Sequence, residues 1–376
     1  MNNIVKMAAA ACAALLGAGA SAQAAELVVA HIGPFSGPLA VNGLANYDGG
    51  KTCVDEANAS GGIRGRKLRL VRADDEYKPD ATVRLLRNVA QRDKPVAFIN
   101  LLGSANLSAV LKDRTLEDIQ VPVVGVTPGA DVLRASGNPW LFHVHASDNA
   151  QLARILMHIA TIGLRRVAVA YQDIPFGQNG IAFIREAAPK AGIDVVGGVP
   201  VPSAADDLSA VVLQLRGTGA QAYIMILVPN SGSSFVAQMR KAEDSTPIYG
   251  MSYVQVNAIM EKAGGAHAAG IRLAQVTPNP DSERSALVRK FRAAMAQHAP
   301  KGTPHTQLHL IGYLSCRVLL EGLKVAGDDP TPVRLKAALH SVRADLGDYY
   351  VEFEGRNEGS RYVDIGVINR QGRLQY

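Results

Sequence analysis

Beyond residue 24 the chain has no apolar run approaching the ~20 residues a membrane-spanning helix needs. A spanning protein of the helical kind is thereby excluded from that point on. Short catalytic and nucleotide motifs are missing as well. There is no G-x-x-x-x-G-K-[ST] loop, no G-x-G-x-x-G after a strand, no H-E-x-x-H and no C-x-x-C. Gly250-Met251-Ser252-Tyr253-Val254 begins like a nucleophile elbow, but its fifth position is valine rather than glycine. An enzyme built on any of these devices is not expected, and no cofactor is implied. Charge of one sign is scarce too: the net charge is only +6, and one less without Lys6. Its basic residues are dispersed, as in Arg64, Arg66, Lys67, Arg69 and Arg72. A nucleic-acid footprint would be concentrated and interleaved with aromatics, so no nucleic-acid partner is expected.

Cysteine is equally sparse. Cys12 lies in the N-terminal apolar stretch and follows Ala9-Ala10-Ala11, without the leucine a lipidation site would carry three places before. Cys53 and Cys316 both fall in helical patterns, where small buried thiols are the commoner case. Two separate core thiols are expected, with a disulfide as the alternative in an oxidising compartment.

What is present begins at the N-terminus. Lys6, an apolar stretch over 7–20 and Ala22-Gln23-Ala24 together read as a cleaved secretory signal peptide over 1–24. The mature chain is therefore expected in the periplasm. Hydrophobic residues at 48% against 19% charged describe a chain able to bury a large core. Its length suits two domains.

Short apolar runs alternate with amphipathic stretches, the pattern of a parallel α/β sheet. Strands are expected over 26–32, 67–72, 96–101 and 121–126, with helices over 47–59, 81–92 and 107–116 between them. The pattern then restarts with strands over 167–171, 195–201, 222–228, 247–251 and 271–276. Long helices over 282–299 and 306–326 follow, then a polar, hairpin-like end over 349–376. Extended crossings between the two halves are expected at 143–147, 277–280 and 346–350, which would let two rigid lobes move about a hinge.

Chemistry-bearing side chains are few. His143 and His145 share a strand face, and His305 and His309 share a helix face at i, i+4 spacing, but neither pair has a third ligand nearby. No metal site is expected. Asp74 and Asp75 are adjacent at a strand end and point in opposite directions, so they read as turn and capping residues. What remains is a set of small-residue loops at strand ends. Gly33–Gly37 with Ser36, Gly103-Ser104, Thr127-Pro128-Gly129-Ala130-Asp131, Asp173–Gly177, Pro229-Asn230-Ser231-Gly232 and Gly250-Met251-Ser252 compose it. In an open α/β sheet, ligands bind outside the carboxyl ends of strands. Helix N-termini there favour an anion.

Several stretches together carry a resemblance. They are Gly33-Pro34-Phe35-Ser36-Gly37-Pro38, the run from Asn58 to Lys67, Asp74-Asp75 with Pro79, and Tyr171-Gln172-Asp173 with Phe176-Gly177. The chain resembles the type I periplasmic binding proteins, in particular the family that binds leucine, isoleucine and valine for ABC transporters. The resemblance implies an α/β fold of two doubly wound parallel-sheet lobes joined by three hinge crossings. Lobe one would hold residues 25–146 and 278–347, lobe two 147–277 and 348–376. It further implies a small-molecule ligand in the cleft and an inner-membrane ABC permease as partner. In amino-acid-binding members the ligand carboxylate is held by a serine and the loop after the next strand, which match Ser104 and Thr127, Gly129 and Ala130 here. The acid that grips the ligand ammonium is matched by Ser252, and cleft tyrosines by Asn42, Phe176 and Pro229. Serine cannot supply the missing charge. A carboxylate ligand that is not a simple α-amino acid is the resulting expectation. An exported sensory subunit of the same fold, and remotely a secreted α/β hydrolase, are the alternatives.

Overall fold

The computed structural model describes residues 25–37, 39–202 and 205–376; the signal peptide expected over 1–24 lies outside them. Five strands form the first sheet: β1 (Leu27–Gly33), β2 (Leu68–Asp74), β3 (Ala97–Ile99), β4 (Val123–Val124) and β5 (Leu141–Phe142). Their order is β2-β1-β3-β4-β5, and every pairing is parallel. The second sheet contains β6 (Arg166–Gln172), β7 (Asp194–Val201), β8 (Ala222–Ile226), β9 (Ile248–Gly250) and β10 (Arg272–Gln275), again mutually parallel. A two-stranded pair, β11 (Arg343–Asp345) and β12 (Tyr350–Glu352), follows. Last come β13 (Asp364–Ile368) and β14 (Leu374–Gln375), which extend the second sheet in antiparallel fashion beside β10. Residues such as Val167, Val169, Ile224 and Ile226 have no exposure, because helices cover both faces of a parallel sheet.

Each sheet thus has two apolar layers, one on either face. A small fifth cluster of Ala45, Ala146, Val276, Leu308 and Ile311 sits where the chain passes between lobes. The single tryptophan, Trp140, belongs to a core layer of the first sheet, and the Lys336 ammonium lies 4.4 Å from its ring centre.

The first lobe is fastened by two 20-residue helices, Ala40–Ala59 and Gln307–Ala326. They approach closely because glycine stands at the contact. A Cβ on Gly49 would lie 1.9 Å from the His309 carbonyl oxygen, and one on Gly312 would lie 2.1 Å from that of Asn46. Gly312→Ala is therefore expected to cost about 1–3 kcal/mol through overpacking. Thermal unfolding would reveal this, and an unchanged midpoint would remove the close-approach argument.

This contact overturns one expectation. Cys53 and Cys316 are not separate thiols but a disulfide, with 6.1 Å between their Cα atoms. The two glycine-mediated helices bring the cysteines together across 263 residues of sequence. The first of these helices also starts at Ala40, seven residues before the expected start, so Asn42 and Asn46 are helical.

Three further observations concern the hinge and the helix beside it. The third crossing is not at 346–350. Val351 and Phe353 are buried in the first lobe's core, β12 pairs with β11, and the Gly359 and Ser360 N–H groups donate to the His143 and Val144 carbonyls. The chain passes to the second sheet only after Ser360. Secondly, Tyr349 is wholly buried at this junction, and its hydroxyl shares its proton between the carbonyls of Val144 (3.3 Å) and Val276 (3.2 Å). Thirdly, the last long helix of the first lobe begins at Gln307, so His305 lies before it and shares no helix face with His309. His309 instead pairs through Nδ1 with the Thr306 hydroxyl, 2.7 Å away.

Candidate functional site

The carboxyl ends of both sheets face one another. Between them lies a cavity of about 70 Å3, lined from the first lobe by Leu39, Asn42, Tyr77, Leu102, Gly103, Ser104, Thr127, Pro128 and Leu308. Ile174, Phe176, Val228, Pro229 and Tyr253 line it from the second. No charged side chain contributes among the described residues.

Local structure explains each position. Gly103 carries φ +102, and a Cβ there would lie 2.6 Å from both Asn106 Oδ1 and the Tyr77 ring. Only glycine lets the chain turn so tightly into the Ser104–Lys112 helix. Ser104 then stands at a helix start that no side chain caps, beside N–H groups without helical partners. The Thr127 hydroxyl accepts from Asn46 Nδ2 (3.1 Å), which leaves its own proton to be donated elsewhere. Tyr77 is set by Asp75, whose Oδ1 accepts the Tyr77 N–H (2.9 Å) and whose Oδ2 accepts the Thr82 hydroxyl (2.7 Å). Burial pushes the Asp75 carboxyl up, against these bonds. Asp74 accepts the N–H groups of Phe35 and Glu76. Both aspartates therefore act in turns, as their adjacency suggests.

Polar contacts join the lobes across the cleft, two of them beside this cavity. Gln255 Nε2 donates to Asn42 Oδ1 (3.2 Å), and the Gly129 N–H donates to the Tyr253 hydroxyl (3.2 Å). That hydroxyl in turn donates to Asp148 Oδ1 at 2.6 Å, and the Tyr253 ring meets Phe176 edge-on at 5.3 Å. Asp148 is buried, and desolvation pushes its carboxyl up to about 6 despite the Tyr253 bond and the Arg134 guanidinium. Arg134 itself is buried and donates to the carbonyls of His145 (3.0 Å) and Ala146 (3.3 Å). Burial, with Arg134 nearby, lowers His145 to about 4 and His143 also well below its ordinary value. Both imidazoles are neutral at physiological pH, and no cluster of three metal-binding side chains exists among the described residues.

Of the residues singled out from sequence, Asn42, Ser104, Thr127, Phe176 and Pro229 line this cavity together. Ser36 is exposed in the turn around Asp74, and Ala130 is buried behind the cavity. Gly129 presents its N–H to Tyr253 rather than to open space. Ser252 points elsewhere: its N–H donates to Gln151 Oε1 (3.0 Å) and it lines a different cavity. Its neighbour Tyr253, in the same turn after β9, lines the cavity instead, and Tyr77, Leu39, Leu102, Ile174, Val228 and Leu308 were also missed.

Comparison with known proteins decides what the two facing sheets belong to. A model of the periplasmic binding protein family matches residues 26–360. The chain belongs to that family. Within it, a solved extracellular ligand-binding receptor from Verminephrobacter eiseniae is 35% identical with a TM-score of 0.89, over 93% of this chain and all of that one (100%). Leu/Ile/Val-binding protein homolog 7 of Brucella abortus is 26% identical over 388 residues, which is 96% of this chain and 93% of the relative. An ABC-transporter solute-binding protein of R. palustris, solved in complex with benzoate, shares the fold at a TM-score of 0.80 with 18% identity, over 93% and 95% of the two chains. In fold this periplasmic binding protein is of type I, akin to the leucine/isoleucine/valine-binding proteins, and its role is to bind a small-molecule ligand.

Proposed function

We propose that this periplasmic binding protein captures a small organic acid with an apolar body and delivers it to an inner-membrane ABC permease. The observation that carries the reading is the uncharged, largely apolar lining of the cleft cavity. The Ser104 hydroxyl, the Thr127 proton and the start of the Ser104–Lys112 helix suit an anion. Asn42 Oδ1, the obvious acceptor, is engaged by Gln255. An ammonium sealed among these groups would lack a counter-charge, at a cost of roughly 3–5 kcal/mol. Leu39, Leu102, Ile174, Phe176 and Val228 supply the apolar wall for a ring or alkyl chain.

At about 70 Å3 the cavity is small for a ring or alkyl chain while the lobes are together. Ligand therefore enters with the lobes apart and selects closure by touching both. Its carboxylate takes the Gly129 N–H from the Tyr253 hydroxyl as it binds. Lobe one, 25–146 with 278–360, presents the anion donors, and lobe two, 147–277 with 361–376, presents Phe176, Pro229 and Tyr253. Export through a cleaved leader over 1–24 delivers the chain to the periplasm.

The test is a thermal-shift screen with benzoate, other monocarboxylates, leucine and benzamide. Monocarboxylates are expected to raise the melting temperature, whereas leucine and benzamide leave it unchanged. Ser104→Ala removes one charge-assisted bond, worth about 1.5–3 kcal/mol, and is expected to weaken carboxylate binding roughly 10–100-fold. Stabilisation by leucine exceeding that by every non-amino acid would overturn the reading.

A further inference from the structure

A second cavity lies between the lobes and shares no lining residue with the first. It measures about 230 Å3, and the Gln255–Asn42 hydrogen bond stands between the two, each partner lining one of them. Its character is the reverse of the first. Three of its polar side chains are almost wholly buried: Gln275 at the end of β10 is 2% exposed, Ser252 4% and Gln307 8%. Gln307 donates from Nε2 to the Thr277 hydroxyl (2.5 Å), but its Oε1 has no partner. Behind Ser252, Gln151 Nε2 is likewise unpartnered.

Such groups are costly to leave alone in a folded protein, about 1–3 kcal/mol each. Gln307 lines the space from one lobe, and Gln275 and Ser252 line it from the other. At about 230 Å3 that space is larger than a lone structural water requires. Thr306 adds to it at the start of the Gln307–Ala326 helix, where no side chain caps the free N–H groups. Charge is confined to the rim, where Asp281 is exposed and burial lowers His305, keeping it neutral. Carboxamides and hydroxyls each donate and accept, so they match a ligand that does both and carries no charge.

We propose that this hinge-side cavity is a second binding site, for a small neutral polyol or carboxamide. Because Ser252 and Gln275 belong to one lobe and Gln307 to the other, its occupant favours the closed form. By linkage it tightens whatever binds in the first cavity. The proposal does not depend on the first ligand being an acid.

Titration calorimetry on the full mature chain, with erythritol and glycerol in one arm and propionamide and urea in another, tests it. Saturable binding of a probe from either arm is expected, and the responding arm identifies the class. Gln275→Leu, close in size, is expected to weaken that binding at least tenfold while leaving benzoate-induced thermal shifts unchanged. Ser252→Ala serves as a second variant should Gln275→Leu not fold, with a loss of severalfold expected. Absence of saturable binding by all four probes, or binding indifferent to both substitutions, would overturn the proposal.

Discussion

The double variant Cys53→Ala/Cys316→Ala is expected to unfold with about 3–5 kcal/mol less free energy than the parent chain. The disulfide spans 263 residues of sequence, so in its absence the unfolded chain regains the conformational freedom of a very long loop. It also fastens the two helices on which the first lobe is assembled, beside the Gly49 and Gly312 contacts. Urea unfolding of the variant, and of the parent with excess dithiothreitol, should give the same lowered midpoint. A midpoint equal to that of the oxidised parent would show that helix packing alone holds the pair. Because both cysteines lie in the first lobe, the link does not cross the cleft, and ligand affinity should survive its removal below the melting temperature.

Asp148→Asn is expected to stabilise the protein at neutral pH by roughly 2–3 kcal/mol, at ~1.4 kcal/mol per pH unit of displaced titration. Burial raises this carboxyl from near 3.8 to about 6. The native state therefore holds the proton more tightly than the unfolded chain does. Stability contributed by the protonated form is present below about pH 4 and is lost as pH rises towards 6, and the full penalty applies above 6. Asparagine removes the buried charge but keeps an oxygen that can accept from the Tyr253 hydroxyl, now 2.6 Å from the carboxylate. The gain over the parent should shrink as the pH of the unfolding experiment falls from 7.5 to 4.5. Destabilisation at pH 7.5 would mean that Arg134 holds the carboxylate more firmly than burial opposes it.

Much of this architecture is legible in the sequence because its signals are local. Apolar runs such as Val167-Ala168-Val169-Ala170 and Ala222-Tyr223-Ile224-Met225-Ile226 become strands because both faces of a parallel sheet are covered. What was not legible depends on distant partners. The Ala40–Ala59 helix begins among Asn42, Gly43 and Asn46, residues of low helical preference, and forms because it packs on the Gln307–Ala326 helix. The same packing decides the disulfide, for which neither cysteine's neighbours hold any cue. At the cleft, choosing between Ser252 and Tyr253 is a matter of one residue in register. Both lie in the turn after β9, where no strand alternation fixes direction, so motif alignment alone cannot tell which side chain enters which cavity. Five of the nine residues chosen from sequence line the first cavity because they sit in strand-end loops, which topology brings together. Whether they grip a ligand is for the Ser104→Ala experiment to decide.

The lone tryptophan has a practical consequence. Trp140 is packed in the first lobe's core beside Lys336 and lines neither cavity. Its emission therefore follows the melting of that lobe and is a poor witness to what occupies the cleft. Optical detection of binding calls for a reporter placed across the gap, for example an environment-sensitive dye at an exposed residue of the Ala40–Ala59 helix such as Val41.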